Sequence, residues 1–186
     1  MSTLTLRRAA DYIAMPWKNG GGTTQEIARD AGIDLEGFGW RVSVASIGES
    51  GEFSRFSGYQ RVITVITGAG MLLNIDGVAQ PELLALQPFA FKGDSLVECR
   101  LLNGPISDFN LIYSPERFHA RLQWVDGPQR FFSSAQTVLV FSVGDQVQVQ
   151  DQRLGRHDCW QIDANTDLLD ISVVGPCCLI ELTQRG

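Results

Sequence analysis

Histidine is nearly absent from this chain. The two present, His119 and His157, belong to no ligand-spaced cluster, so a metal site built on two or three histidines is excluded. The four cysteines, Cys99, Cys159, Cys177 and Cys178, include no CxxC pair. Adjacent Cys177 and Cys178 would point to opposite faces of a strand. They read as buried thiols of a reducing compartment rather than a disulfide or zinc framework. No apolar run reaches the length of a membrane span, and the opening "MSTLTLRRAADYIAM" lacks the apolar core of a secretory signal. The cytoplasm is the expected location, with no membrane partner. Lysine occurs only at positions 18 and 92, and the formal charge is -6. That balance argues against nucleic acid or an anionic surface as a partner. Helical periodicity is scarce.

Strand patterns occupy what remains. The 186 residues are 44% apolar with 19 glycines, enough to bury a sizeable core in a turn-rich β protein. "WRVSVASI" alternates, placing Trp40, Val42, Val44 and Ser46 on one face and Arg41, Ser43, Ala45 and Ile47 on the other. "RVITVIT" reads as a mostly buried strand, and "GAG" turns the chain into "MLLNID". Asp76-Gly77 is a hairpin signal. "ALQPFAF", "SLVECRLL" and "DFNLIYS" follow, with turns at Lys92-Gly93-Asp94 and Asn103-Gly104-Pro105. Short strands between frequent turns indicate a sandwich or barrel.

The chain also echoes itself. "VITVITGAGMLLNIDG" resembles "TVLVFSVGDQVQVQD", with Gly70 answered by Gly144, and "NGPISDFNLIYS" is answered by "VGPCCLIELTQ", with Pro105 matching Pro176. The same element order twice suggests two fused β units. The expected division is 1–113 and 114–186, with Ser114 to Ser134 as the crossover and the halves packed as one compact unit. In the first half, alternation places Asp108, Asn110 and Ile112 on one face. The second half has Leu179 and Glu181 opposite the first two, so the first half is the better candidate for holding a ligand.

A strand, a Gly-x-Gly turn, a strand, an Asp-Gly turn and a "GD" turn resemble the cupin superfamily. The fold this implies is all-β: a double-stranded β-helix or cupin jelly roll, here two barrels in one chain, a bicupin. The usual metal ligands are missing. Anchored on Gly68, the histidine and glutamate positions of the first cupin motif fall on Arg55, Ser57 and Arg61, or on Ser54, Phe56 and Arg61. In the second motif the ligand histidine becomes Leu96. A guanidinium cannot deprotonate and coordinate, so no metal and no cofactor are expected. Arg41, Arg55 and Arg61 come from segments that would line the first barrel, and a planar guanidinium grips a carboxylate with two parallel hydrogen bonds. Pairing with Asp108, Glu49 or Glu52, or exposure at the surface, is the alternative for each.

The stretch "PWKNGGGTTQEI" cannot be a P-loop, because Lys18 precedes the glycines. A structural turn and a binding site remain open. In the second reading Gly20 and Gly22 bring backbone close to a ligand, Trp17 lies at the mouth, and Lys18, Asn19 and Thr23 supply a charge and hydrogen-bond partners. Together with "GWRVSVASIGESGEFSRFSGYQRVITVITGAGM", "QPFAFKGD" and "LNGPISDFNLIY", this stretch resembles the HutD/Ves family. The resemblance implies a bicupin without metal ligands, associated with bacterial histidine utilisation or, in the Ves branch, with stress response. It also implies a regulatory role through binding a pathway intermediate such as urocanate or formylglutamate, both carboxylates. The candidate ligand-binding residues are completed by Ser43, which shares the face of Arg41, by Phe56 and Tyr59 beside Arg55, and by Asp108 and Asn110. A metal-independent isomerase, lyase or hydrolase using Asp108 or Tyr59 for proton transfer is the alternative. A scaffold with a filled barrel is the third reading. A homodimer through edge strands or faces is the expected assembly.

Overall fold

Period-two alternation and closely spaced turns produce a chain made of strands. The computed structural model describes residues 2–30 and 37–186, which contain one short 3-10 turn and no α-helix. In chain order the strands of the first half are β1 (Thr3–Arg7), β2 (Ala14–Pro16), β3 (Gly22–Arg29), β4 (Trp40–Ile47), β5 (Gly51–Glu52), β6 (Gln60–Thr67), β7 (Met71–Ile75), β8 (Val78–Ala79), β9 (Phe89–Lys92), β10 (Val97–Leu101) and β11 (Ile106–Tyr113). The second half contributes β12 (Phe118–Val125), β13 (Gln129–Ser133), β14 (Thr137–Ser142), β15 (Val147–Val149), β16 (Gln152–Leu154), β17 (Cys159–Asp163), β18 (Leu169–Val174) and β19 (Cys177–Gln184).

Two units result: residues 13–115, and residues 2–12 together with 116–186. In the first, a sheet ordered β2-β3-β4-β11-β6-β9 and a sheet ordered β5-β10-β7-β8 share one apolar core, including Ile63 and Val65 from one and Met71, Leu73 and Val97 from the other. In the second, β1-β17-β14-β19-β12 and β13-β18-β15-β16 enclose a core that includes Val138, Val140, Trp160, Val149 and Ile171. The order β4-β11-β6-β9 corresponds to β12-β19-β14-β17, and β5-β10-β7-β8 to β13-β18-β15-β16. Eight strands are thus wound in the same order twice, each set a double-stranded β-helix. Gly70 and Gly144 occupy the same inter-strand turn in the two units, and Pro105 and Pro176 each immediately precede the central strand.

Local chemistry sets the turns. Asp76 and Gly77 both take positive φ (52° and 83°), as the two-residue hairpin between β7 and β8 requires. The four cysteines are buried and free. No helix among the described residues is long and apolar enough to cross a membrane.

Two expectations are corrected. Residues 114–134 are not a crossover: "FHARLQWV" and "QRFFS" form β12 and β13, and their half-buried alternation seats them in the second unit. The opening residues do not belong to the first barrel. Strand β1 pairs with β17, Thr3 opposite Asp163 through Arg7 opposite Cys159. The carboxylate of Asp158 then holds the end of this segment, accepting hydrogen bonds from the Ala9 amide (2.8 Å), the Gly155 amide (2.9 Å) and Arg8 Nη1 (2.7 Å).

Those donors outweigh the burial of Asp158 and lower its pKa. The stabilisation is therefore present above the ordinary carboxylate range and is lost as pH falls through the depressed value. Asp158→Ala leaves two amides without their acceptor and Arg8 with only the Arg153 carbonyl, with an expected cost of about 1–3 kcal/mol. Hydrogen exchange checks it: the amides of β1 should exchange faster in the variant. Unchanged protection there would show that strand pairing alone holds the segment.

Candidate functional site

The first unit contains a cavity of about 570 Å³. Its walls follow from strand alternation. On β4, Arg41, Ser43, Ala45 and Ile47 face it; on β11, Asp108, Asn110 and Ile112 do. Residues directly across this pair of strands, such as Ala45 and Asp108, lie side by side on the cavity face. Strand β6 supplies Arg61, and the segment after β5 supplies Phe53, Ser54 and Phe56. Strand β2 and the loop after it bring Met15, Pro16, Trp17, Lys18 and Asn19 to the rim.

Arg61 is the deepest cation. Its guanidinium lies 5.0, 5.3 and 5.6 Å from the ring centres of Phe91, Phe56 and Phe53. Nη2 donates to Asn110 Oδ1 at 2.9 Å and Nη1 to the Ser54 carbonyl at 3.1 Å. Nε is buried and has no partner. Burial pulls the Arg61 pKa down to about 10, with Asp108 acting against the shift and Arg41 adding to it. It stays cationic at neutral pH.

Asp108 is 1% exposed, and its Oδ1 has no hydrogen-bond partner. Burial raises its pKa to about 7, although Arg61, Asn110 and the Ala45 amide all favour the anion. Arg41 is committed elsewhere. Its Nε lies 3.0 Å from Glu26 Oε2, an ionic contact without hydrogen-bond alignment, and Glu26 is also approached by Arg29 at 3.4 Å. At the deep end of the cavity, then, a guanidinium edge and a carboxyl oxygen are both dehydrated and unused. Buried polar groups are almost always paired, and these two orphans on cavity-lining side chains, with Arg41 Nε in its unaligned contact to Glu26 as a third, are what a polar ligand would satisfy.

Of the residues singled out from sequence, Trp17, Lys18, Asn19, Arg41, Ser43, Phe56, Arg61, Asp108 and Asn110 line the cavity, and five do not. Arg55 is exposed at the surface; the pKa of Asp76 is lowered mainly by hydrogen bonds from the Leu96 amide and Ser95, and Arg55 adds a minor contribution. The Tyr59 hydroxyl donates to the Phe38 carbonyl at 2.7 Å, and its ring packs on Phe38. Thr23 pairs with Ser46 and points to that residue's exposed side, whereas its neighbour Thr24 pairs with Ala45 and turns inward. Gly20 closes the loop turn with φ 76°, its amide donating a hydrogen bond to the Trp17 carbonyl. Gly22 is a packing position: a Cβ there would lie 2.6 Å from the Ser46 carbonyl oxygen and 3.2 Å from the Trp17 ring. That ring is fixed by a 2.7 Å bond from its Nε1 to Thr24 Oγ1.

Phe53 and Phe91, which complete the aromatic surround of Arg61, were missed. Phe91 is brought opposite Arg61 only by the pairing of β9 with β6, whereas Phe53 is near in sequence but carries no pattern showing which way its ring points. Glu52, Ser54, Met15 and Pro16 were missed for that second reason, lying beside singled-out residues in stretches without clear alternation. Ala45, Ile47 and Ile112 were already on the correct face by alternation.

A cupin fold implies a metal, and the donor set at this cavity does not fit one. Two guanidiniums, an amide and a half-neutral carboxyl do not suit a divalent cation. Among the described residues no group of three or more His, Cys, Asp or Glu side chains is placed to hold an ion.

The HutD family model matches residues 9–179. The chain belongs to the HutD family. A curated protein of Pseudomonas putida, described as an uncharacterised 21.2 kDa protein in the hutC 3' region, is 55% identical over the whole of both chains. Protein Ves of Escherichia fergusonii is 35% identical over 77% of this chain and 76% of its own. Among solved structures, HutD from Pseudomonas fluorescens, obtained in a formate condition, superposes with a TM-score of 0.95 at 72% identity, covering 99% of this chain and all of that one. A bacterial pirin from Escherichia coli, solved with nickel(II), shares the fold alone, at a TM-score of 0.68 and 10% identity over 99% and 100% of the two chains. The naming of the HutD relatives ties the family to histidine utilisation.

Proposed function

We propose that this chain binds a small carboxylate metabolite in the cavity of its first unit and regulates histidine utilisation through that binding, without chemistry on the ligand. The observation that carries the reading is Arg61. A buried guanidinium with an unpartnered Nε, on a side chain that lines a cavity of about 570 Å³, suits an oxyanion such as a carboxylate. The volume falls within the usual range of small-molecule sites, about 300–1,000 Å³. The apolar body of a ligand would lie against Phe53, Phe56, Ile47 and Ile112, with Lys18 and Asn19 at the entrance. Urocanate and formylglutamate, intermediates of histidine degradation, are the candidate ligands.

The position of Asp108 favours one second reading. A buried carboxyl with a pKa near 7 is what general acid–base catalysis requires, so a metal-independent isomerase, lyase or hydrolase is the competing class.

Unfolding in the presence of histidine, urocanate, formylglutamate and glutamate separates these readings. A ligand at 100 times its Kd adds about 2.7 kcal/mol to the stability of the state that binds it. That corresponds to roughly 5–11 °C for a chain of this size. The expected result is such a shift with urocanate or formylglutamate, and recovery of the ligand unchanged. Turnover of either compound by purified protein would move the protein to the enzyme class, and no shift with any carboxylate would remove the binding reading.

A further inference from the structure

We infer that Asp108 serves the site as a neutral acid, donating its proton to the bound carboxylate beside Arg61, so that the anion enters together with a proton. The inference rests on the carboxylate reading above and adds to it a second ligand-binding group and a dependence on pH.

The geometry comes from three side chains. Asn110 lies between the other two: its Oδ1 accepts from Arg61 Nη2, and Asp108 is two residues away on the same strand face. What this arrangement leaves unused is Nε of Arg61 and Oδ1 of Asp108, both fully buried and both on side chains that line the cavity. A carboxylate only accepts hydrogen bonds. Nε–H is a donor as it stands, whereas Oδ1 can meet an incoming carboxylate only with a proton between them. An ionised Asp108 would place two carboxylates against each other in a dry pocket, where like charges strongly disfavour joint ionisation.

The surrounding charges set the sign of the effect. Arg61 on β6 faces Asp108 and favours its anion. Arg41 on β4 is offset by Glu26 on β3. The Cys99 thiol on β10 feels the Asp108 charge, but burial keeps it neutral, with a pKa near 12. Lys18 and Glu52 sit at the exposed rim with opposite charges. Arg61 is therefore the main influence holding Asp108 toward ionisation. A ligand carboxylate that neutralises Arg61 removes that influence, so the Asp108 carboxyl holds its proton more tightly in the complex than in the free protein. Proton binding that is stronger in the complex means affinity falls as pH rises through the free-protein pKa near 7.

The experiment is calorimetric titration of the whole chain with formylglutamate, and with formate as the minimal carboxylate; neither titrates near neutrality. Titrations near pH 7.5 in phosphate and in Tris, whose ionisation heats differ, count the protons exchanged. We expect uptake of roughly half to one proton per ligand and an affinity about tenfold weaker at pH 8 than at pH 6. Asp108→Asn should flatten the pH dependence, because its amide is a donor at every pH. If that variant does not fold, the buffer dependence of the wild-type heats decides alone. Binding with buffer-independent heats and a flat pH profile would overturn the inference and leave the carboxylate reading standing. Absence of binding at either pH would remove both.

Discussion

Replacing Arg61 by Met is expected to weaken carboxylate binding by about 2–5 kcal/mol, roughly thirtyfold to several thousandfold, while the ligand-free protein unfolds at the same temperature or higher. The two halves of this result have one cause. In the empty cavity the guanidinium is buried with Nε unsatisfied, and burial already drives its pKa down to about 10. Replacing a buried ion pair by apolar side chains of similar volume is often neutral or stabilising, by about 1–4 kcal/mol. Asp108, the partner left behind, escapes the cost of an unpaired charge by taking up a proton, since burial already raises its pKa to about 7. The thioether would also pack well among Phe53, Phe56 and Phe91. Arg61→Lys should lose affinity as well, since an ammonium lacks the planar fork. If Arg61 were structural, its replacement by Met would lower the melting temperature. Calorimetric titration beside an unfolding curve for each variant distinguishes the two accounts. A residue that costs stability when the cavity is empty is what a site kept for a ligand looks like.

The second large effect is expected at Gly93, in the turn after β9. Its amide donates to the Tyr59 carbonyl at 2.7 Å, and its carbonyl accepts from the Phe56 amide at 2.8 Å. The backbone of the Phe56–Tyr59 turn therefore lies directly against it. A Cβ at this position would collide with the Phe56 carbonyl oxygen and lie 2.9 Å from that of Tyr59. Neither obstacle is the movable end of a side chain, so relief requires backbone displacement. Gly93→Ala should cost about 1–3 kcal/mol or more, lowering the melting temperature by roughly 2–12 °C. The displaced turn carries Phe56, so the aromatic surround of Arg61 opens and carboxylate affinity falls as well. Gly51→Ala is the control: nothing lies within 4 Å of a Cβ there, and an effect inside about 0.5 kcal/mol is expected. Equal melting temperatures for the two variants would show that the contact at Gly93 yields without cost.

How much of this was legible in the sequence depended on distance along the chain. Alternation alone assigned both cavity walls: Arg41, Ser43, Ala45 and Ile47 on one strand, and Asp108, Asn110 and Ile112 on another, all face the cavity. The hairpin at Asp76-Gly77 and the repeat marked by Gly70/Gly144 and Pro105/Pro176 were equally local signals. Registers were not legible. Thr23 and Thr24 differ only in which β4 residue each opposes, and a one-residue offset exchanges inside for outside. Arg55 and Arg61 looked equivalent as a pair of arginines, yet one is at the surface and the other at the bottom of the cavity.

Long-range partners were also hidden. Nothing in "TLTLR" announces a pairing with a strand more than 150 residues away. The strand character of β12, by contrast, was present in the alternation of Phe118, Ala120, Leu122 and Trp124, and the expectation of a crossover obscured it. The glycine run shows how one composition fits two roles. It was a candidate backbone approach to a ligand, and at Gly22 it is room for the Trp17 ring. The loop still reaches the cavity, through the side chains of Trp17, Lys18 and Asn19 rather than through its glycines.

The central claim, that Arg61 anchors a carboxylate in the first unit, is tested most directly by a crystal structure grown with urocanate or formylglutamate. The account predicts a carboxylate oxygen within about 2.7–2.9 Å of Arg61 Nε, the usual distance for a charge-assisted bond. A second contact should run to Asp108 Oδ1, and the ligand body should lie between Phe56 and Ile112. An empty cavity at saturating concentrations of both compounds, or a ligand bound away from Arg61, would contradict it.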